Sequence, residues 1–292
     1  MTAGRSAQVS IGDIGVAIRC ADPGMTIGVP AETERFLVRD GAVDVTVTAE
    51  WGELREPFAG EELFDSGGLW KLYRQDGNYV FRFSSPAIGQ HPYKEARFNP
   101  DFTSGEVTLH AEYHDRREPA TPLEYPLDEL LMTNLLARGR GVEVHALGIR
   151  DRDGRGYLFT GHSGAGKSTT AGLWEKEGVL VLSDDRIILR HQDGKFWMYG
   201  TPWHGESQLA AAERTELSRI FVLGRGKRNE LVPLAPADAV SQLFSRSFVP
   251  FYEPAALGYT LELLQQIAEA VPCAELRFVP DGNVVEFVRK CP

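Results

Sequence analysis

Through the first 118 residues, hydrophobic and polar positions alternate with a period of two, which predicts β-strands. Clear examples lie at residues 15–19, 43–48 and 79–83, the last after a turn at 76–78. Gly, Pro, Asp and Asn end each run before it reaches the length of a helix. The pattern therefore predicts an antiparallel, β-rich N-terminal region over residues 1–118.

A short proline-rich stretch separates this region from the rest of the chain. Three prolines fall within residues 119–126, and each proline disfavours a helical conformation in the residue before it. Leucines at helical spacing follow and predict a helix over residues 127–137. We therefore predict a linker at 119–127 and a second domain at 128–292.

In the second domain, strand-like and helix-like patterns follow one another, which predicts an α/β fold. The predicted strands and hairpins lie at 142–149 with 157–160, at 179–182, at 187–189 with 196–199, and at 274–279 with 284–288. The predicted helices lie at 167–176, 235–244 and 254–270.

The charge balance limits the classes of ligand. The chain has 292 residues, with 31 Lys and Arg against 41 Asp and Glu, a formal net charge of −10. An acidic protein repels nucleic acids and anionic membranes at long range, so neither is an expected partner. Any anion that binds must be held by a local arrangement of groups.

The spacing of the cysteines and the N-terminal sequence indicate the cellular compartment of the protein. Cys20, Cys273 and Cys291 are widely spaced and form no CxxC pair, which argues against a disulfide framework and a zinc site. The N-terminal residues lead into no apolar run of signal-peptide length, and no window approaches the roughly 18 to 20 apolar residues that span a bilayer. These observations predict a cytoplasmic protein.

One motif carries candidate chemistry. Residues 161–168 match the P-loop, or Walker A, pattern GxxxxGK[ST] at every fixed position. Glycines let successive backbone N–H groups point at phosphate oxygens, Lys167 reaches the β- and γ-phosphates, and the Ser168 hydroxyl binds Mg²⁺. The alternative is a glycine-rich turn with a coincidental Lys-Ser. The predicted nucleotide-binding residues are Gly161, His162, Ser163, Gly164, Ala165, Gly166, Lys167, Ser168 and Thr169.

A pair of aspartates follows the next apolar run. Asp184 and Asp185 come directly after the predicted strand at 179–182. A nucleotide and its metal need a carboxylate partner of this kind. Adjacent residues at a strand end point to opposite sides, so one aspartate can face the metal and the other the nucleophile. A solvated Asp-Asp turn is the alternative.

The P-loop of form GxSGxGKS, the aspartate pair and the upstream strand that contains His145 together resemble the bacterial HPr kinase/phosphorylase family. The resemblance covers about residues 130–290 and is closer to the stand-alone HPr kinase-like proteins. Ser163 is shared with the related phosphoenolpyruvate carboxykinases. The resemblance implies a P-loop kinase domain with a carboxykinase-like, mixed β-sheet core.

The resemblance also implies roles for individual residues. Lys167 binds the nucleotide phosphates, Ser168 and Asp184 hold the metal, and Asp185 is the general base that takes the proton of the acceptor hydroxyl. His145 matches the catalytic histidine of the family, with a core histidine as the alternative reading of that position.

Three further positions are candidates that the family pattern supports less directly. Glu206 is a candidate second metal ligand, since the family has a metal-binding Glu in this region. His204 and Arg246 are candidate substrate or phosphate contacts. The alternatives are a structural turn for His204 and Glu206 and a surface helix end for Arg246. The Pro- and Arg-rich loop that supports phosphorylase activity is not recognisable, and the stretch at 225–229 in its place is typical of a hairpin turn.

The leading hypothesis is an ATP- and Mg²⁺-dependent kinase, without phosphorylase activity, that phosphorylates a Ser or Thr hydroxyl of a peptide or small protein. Two alternatives stay open: a small-molecule hydroxyl kinase of the same superfamily, and a nucleotide-binding sensor without turnover. The N-terminal region is a candidate for acceptor or partner recognition. The tendency of the family to assemble makes a homo-oligomer one option.

Overall fold

The structure is a computed structural model that describes residues 4–291. The chain divides into two compact units, Met1–Leu135 and Leu136–Pro292. The outer ends of the predicted domains, residues 1–3 and 292, lie outside the described residues.

An eight-stranded sheet forms the first unit, in the order β1-β2-β3-β8-β7-β6-β5-β4. The β-rich prediction is confirmed, and the alternation explains it: in β3, Val45, Val47 and Ala49 are buried while the threonines between them are partly exposed. The elements are β1 (Ser6–Ile11), β2 (Ile14–Cys20), a 3₁₀-helix (Ala31–Phe36), β3 (Val45–Gly52), β4 (Glu61–Asp65), β5 (Trp70–Gln75), β6 (Asn78–Phe83), β7 (Lys94–Phe98), β8 (Ser104–His110) and α1 (Leu127–Leu136).

The first sheet is mixed, so the prediction of a purely antiparallel region is wrong. β3 lies parallel to both β2 and β8, while the other neighbouring strands are antiparallel. Parallel neighbours need a long crossover connection. The segments between β2 and β3 and between β3 and β8 provide these crossovers, and a strand pattern read locally cannot reveal them.

The division between the units falls after residue 135, beyond the predicted linker at 119–127. The proline-rich stretch belongs to the first unit, where Ala120 donates its N–H to the carbonyl of Thr26 and accepts one from Gly28, both at 2.8 Å. The helix α1 follows this stretch and also packs as part of the first unit, since Leu127 and Leu131 are buried.

The second unit is a mixed α/β structure around a nine-stranded sheet. Its strands are β9 (Val142–Arg150), β10 (Gly156–Thr160), β11 (Leu180–Ser183), β12 (Arg186–Gln192), β13 (Lys195–Tyr199), β14 (Arg214–Arg225), β15 (Glu230–Pro233), β16 (Ser247–Phe248) and β17 (Cys273–Phe278). Its helices are α2 (Lys167–Glu175), α3 (Pro236–Phe244), α4 (Pro254–Ala270) and α5 (Asn283–Arg289).

The two longest strands organise this sheet by changing partners along their length. The first half of β9 pairs with β12 and β16, and its second half pairs with β10 and β11. In the same way, β14 pairs with β13 at its start and with β10 and β17 further on. The sheet can therefore curve around two apolar clusters, and the turning point of β9 lies at His145 and Ala146.

Most predicted elements of the second unit are confirmed, but the strand predicted at 284–288 is wrong because it is the helix α5. Val284, Val285 and Val288 are buried on one face of that helix, while Glu286 points to solvent. β-branched valines favour strands. Here burial of an i, i+1, i+4 face outweighs this preference, and Asp281, two residues before the helix, makes a local turn by accepting the N–H of Asn283 at 3.0 Å.

The stretch at 225–229 is not a hairpin turn. β14 and β15 do not pair with each other, because β17 lies between them, parallel to β14 and antiparallel to β15. The stretch therefore connects two strands across a third.

The described residues include no helix with the length and apolar character needed to cross a membrane. Cys20, Cys273 and Cys291 are free thiols.

The last helix is attached to the sheet through Arg289. Its guanidinium donates two hydrogen bonds of 2.9 Å to the buried carboxylate of Asp151 and one of 3.0 Å to Glu177, just beyond α2. It also lies 5.4 Å from the ring centre of Trp174. The Arg289 side chain is only 18% exposed and pairs with Asp151 through two hydrogen bonds. It therefore contributes more to the stability of the fold than a surface ion pair does.

Replacing this arginine should therefore destabilise the second unit. We expect Arg289→Ala to lower the free energy of unfolding by about 2 kcal/mol, because it leaves the carboxylate of Asp151 buried without its partner. Urea denaturation measures the change. Arg277→Ala, which removes an exposed pair with Glu275, is the matched control and should change little. Equal effects of the two substitutions would contradict this role of Arg289.

Candidate active site

The P-loop connects a buried strand to the start of a helix. β10 ends at Thr160, the loop occupies residues 161–166, and α2 begins at Lys167. Gly166 has φ +107°, a conformation that residues with a side chain rarely adopt. A Cβ atom at Gly166 would also lie 3.1 Å from the ring of Phe278, at the end of β17. The backbone conformation favours glycine here, the tight approach of the ring adds to this preference, and the strand–loop–helix context matches the sequence prediction.

Lys167 is the buried cation of this loop. Its ammonium group donates a hydrogen bond of 3.2 Å to the carbonyl of Gly161, across the loop, and the residue is 9% exposed. Burial lowers the pKa of Lys167; the carboxylate of Asp185 opposes this shift, and the charges of Arg246 and Arg186 add to it. The structure therefore brings Lys167, Asp185 and two arginines within electrostatic range of one another.

Asp185 and His145 form a pair beside Lys167. The imidazole Nδ1 lies 3.1 Å from the carboxylate Oδ1 of Asp185 and 3.0 Å from its backbone carbonyl. Burial tends to raise the pKa of Asp185, but the hydrogen bond to His145 and the positive charges of Arg186 and Lys167 outweigh it and lower the pKa. The carboxylate is therefore ionised at neutral pH, and both groups keep a quarter or more of their surface exposed.

Arg186 is a member of this cluster that the sequence predictions omit. Its guanidinium contacts the carboxylate of Asp185 and lies 3.1 Å from Nδ1 of His145. It also lies 3.5 Å from the fully buried carboxylate of Glu143 and 4.2 Å from the ring centre of Phe248. Register explains the cluster, because Arg186 on β12 is directly opposite His145 on β9. An arginine next to the predicted base was the signal available in the sequence.

Asp184 contacts a different part of the chain from Asp185, and both lie in the short bend between β11 and β12. The two carboxylate oxygens of Asp184 accept N–H groups from Gly205 at 2.8 Å and from Ser207 at 3.0 Å. This carboxylate therefore fixes the loop that contains His204 and Glu206.

The other two residues of that loop are less constrained. Glu206 is exposed, and Nδ1 of His204 lies 3.1 Å from the carbonyl of Gly205 in its own loop. Within residues 4–291, no group of three or more His, Cys, Asp and Glu side chains is arranged to hold a metal ion. The metal set Ser168, Asp184 and Glu206 stays a prediction.

Arg246 lies on the opposite side of His145 from Arg186. The backbone N–H of His145 donates to the carbonyl of Arg246 at 2.7 Å, and the next residues pair with β9 as β16. The side chain is 8% exposed, and burial lowers its pKa. The structure therefore places Arg246 in the cluster with Lys167 and His145.

Comparison with solved structures finds distant similarity. No protein-family model matches the chain, and no curated protein matches it. Among solved structures, the HPr(Ser) kinase/phosphatase from Coxiella burnetii is similar over 50% of this chain and 95% of its own length, with 12% identity and a TM-score of 0.31.

Proposed function

We propose that the second unit is an ATP-dependent kinase that transfers the γ-phosphoryl group to a hydroxyl group of its acceptor. One observation carries the proposal: a P-loop with a buried lysine lies beside an ionised Asp185 that is paired with His145. Backbone amides and Lys167 would stabilise the charge that spreads over the phosphoryl oxygens. Asp185 would accept the hydrogen bond, and then the proton, of the attacking hydroxyl.

The environment of Asp185 suits this role. An ionised carboxylate can orient the hydroxyl by accepting its hydrogen bond, and little proton transfer is needed early in a loose phosphoryl-transfer transition state. His145 fixes one carboxylate oxygen and Arg186 contacts the other. The carboxylate is therefore held in one orientation towards the space beside Lys167.

The oxygen ligands near the P-loop fit Mg²⁺ bound mainly by nucleotide phosphates. Mg²⁺ takes one or two protein oxygens together with phosphates and water. The Ser168 hydroxyl is exposed at the start of α2, and the oxygens of Asp184 keep lone pairs beyond their two amide hydrogen bonds. Ser168 and Asp184 would hold the ion, which when bound neutralises phosphate charge. Glu206 is the further candidate ligand, and His204 remains a candidate substrate contact.

The resemblance of the sequence to the HPr kinase/phosphorylase family favours a Ser or Thr hydroxyl of a peptide or small protein as the acceptor. A small hydroxyl metabolite is the alternative acceptor. A sensor that binds nucleotide without turnover is the alternative from a different class. Retention of Asp185 together with Lys167 and Ser168 favours turnover, since a sensor needs no general base.

Titration with ATP in the presence and absence of Mg²⁺, followed by assay for ADP, tests this proposal. We expect Mg²⁺-dependent binding of ATP and slow formation of ADP with water as the acceptor. Radiolabelled γ-phosphate should then enter a Ser/Thr peptide pool or a pool of small hydroxyl compounds. Failure to bind ATP would overturn the proposal, and ATP binding without any transfer, even to water, would establish the sensor instead.

A further inference from the structure

Three basic residues lie close together in the second sheet. Arg186 of β12 is directly opposite His145 of β9, so these two share a face of the sheet. His145 is hydrogen-bonded through its backbone to Arg246, which lies in the turn before β16.

The guanidinium of Arg246 is fixed in one orientation. Its Nη1 donates to the backbone carbonyl of Gln242 at 2.6 Å, to the side-chain Oε1 of Gln242 at 2.9 Å and to the hydroxyl of Ser245 at 3.0 Å. All three contacts use the same nitrogen. The plane of the guanidinium is therefore set by the end of α3.

The other two nitrogens of Arg246, Nε and Nη2, are buried and have no hydrogen-bond partner among residues 4–291. These two N–H groups lie parallel on one side of the guanidinium and match two oxygens of a carboxylate, phosphate or sulfate. A buried charged group with unpaired donors is strongly unfavourable, so a ligand that pairs them gains affinity. Arg246 therefore presents an oriented receptor for an oxyanion, which we call the Arg246 fork.

The donor phosphates already have their own binding groups. Loop amides and Lys167 serve them in the proposed function, on which this inference rests. The charges of Arg246 and Arg186 act on Lys167, so the fork adds positive charge beside the P-loop lysine. The carbonyl of Arg246 accepts the backbone N–H of His145, the partner of the proposed base, so the residue that carries the fork adjoins the side of the site where the acceptor hydroxyl must lie.

We propose that the Arg246 fork binds an oxyanion of the phosphoryl acceptor, so that the acceptor carries a carboxylate or phosphate group near its reacting hydroxyl. The fork would hold that group while Asp185 takes the hydroxyl proton. This arrangement explains how a chain with a net charge of −10 recognises an anionic acceptor: the charge that does so is local and buried. Because the fork is covered, the ligand displaces a neighbouring side chain as it binds.

Sulfate is the probe, because it has the fork's oxygen geometry and accepts no phosphoryl group. Its affinity is measured by calorimetric titration of the full chain, first without nucleotide and then with the P-loop saturated by β,γ-imido-ATP and Mg²⁺. Without nucleotide the P-loop itself can bind sulfate, so the nucleotide-saturated state is the decisive one, and we expect one sulfate site to remain there. Arg246→Gln should weaken this remaining site at least tenfold, and the matched control Arg228→Gln, on an exposed loop, should leave it unchanged.

Other outcomes of the titration distinguish a fork that binds the donor nucleotide from a fork that binds the acceptor. If saturating β,γ-imido-ATP abolishes sulfate binding, the fork belongs to the γ-phosphate of the donor and the proposal is overturned. Unchanged sulfate affinity in Arg246→Gln would also overturn it. Arg246→Lys, which keeps the charge but lacks the paired N–H groups, replaces the glutamine variant if circular dichroism shows that the latter is unfolded, and it should lose affinity likewise. Failure of the imido nucleotide to bind contradicts the kinase proposal, while Arg246-dependent sulfate binding without nucleotide would still establish the fork.

Discussion

Asp185→Asn should lower the rate of ADP formation by about 10² to 10⁴-fold, the contribution typical of a positioned general base. The amide has the shape of the carboxylate but cannot take a proton. Nucleotide affinity should stay the same or rise, because the substitution removes a negative charge that interacts with Lys167 beside the phosphate site. Steady-state ADP formation and a separate ATP titration measure the two quantities.

A second aspartate supplies the control for this substitution. Asp193 lies in the exposed turn between β12 and β13 with φ +53°, a conformation that asparagine also adopts. Asp193→Asn should therefore keep the wild-type rate. An Asp185→Asn variant that forms ADP as fast as the wild type would rule out proton acceptance by this carboxylate.

Lys167→Ala should nearly abolish turnover, with a loss of about 10² to 10³-fold from the missing charge at the transferred group. ATP affinity should also fall, because the ammonium group would contact the β- and γ-phosphates in the ground state. The stability of the folded protein, in contrast, should not fall. Lys167 is a buried cation whose pKa is lowered first by burial and then by Arg246 and Arg186, so its removal relieves desolvation and repulsion.

The melting temperature of Lys167→Ala should therefore equal or exceed that of the wild type, as expected for a residue kept for function. Lys195→Ala, which removes a half-exposed lysine paired with Glu216, is the matched control and should leave ADP formation unchanged. A large loss of stability in Lys167→Ala with normal ATP binding would mean that this lysine is structural.

The elements of the site that depend on short stretches of chain were predictable from the sequence. The P-loop and the aspartate pair each occupy a few consecutive residues, and their strand and helix contexts follow from local hydrophobic patterns. The contacts of each aspartate could not be predicted, because the amide hydrogen bonds to Asp184 come from a loop more than twenty residues away.

The features that the sequence did not predict depend on pairing between distant segments. Arg186, which the sequence predictions omit, joins the cluster because β12 pairs with β9 in one register. Arg246 was a candidate from the sequence, but its place beside His145 depends on the two-residue strand β16. No local pattern encodes a register between strands so far apart. The parallel pairs of the first sheet were missed for the same reason, whereas α5 was missed because strand propensity and helical burial disagree within one run of valines.

The contact between Gly166 and Phe278 has a consequence for the order of folding. The P-loop conformation is supported by a ring on β17, a strand that joins the sheet by parallel pairing with β14. Pairings between distant segments form slowly, because the entropy of closing a long loop must be overcome first. During refolding, the recovery of ATP binding should therefore lag behind the recovery of secondary structure.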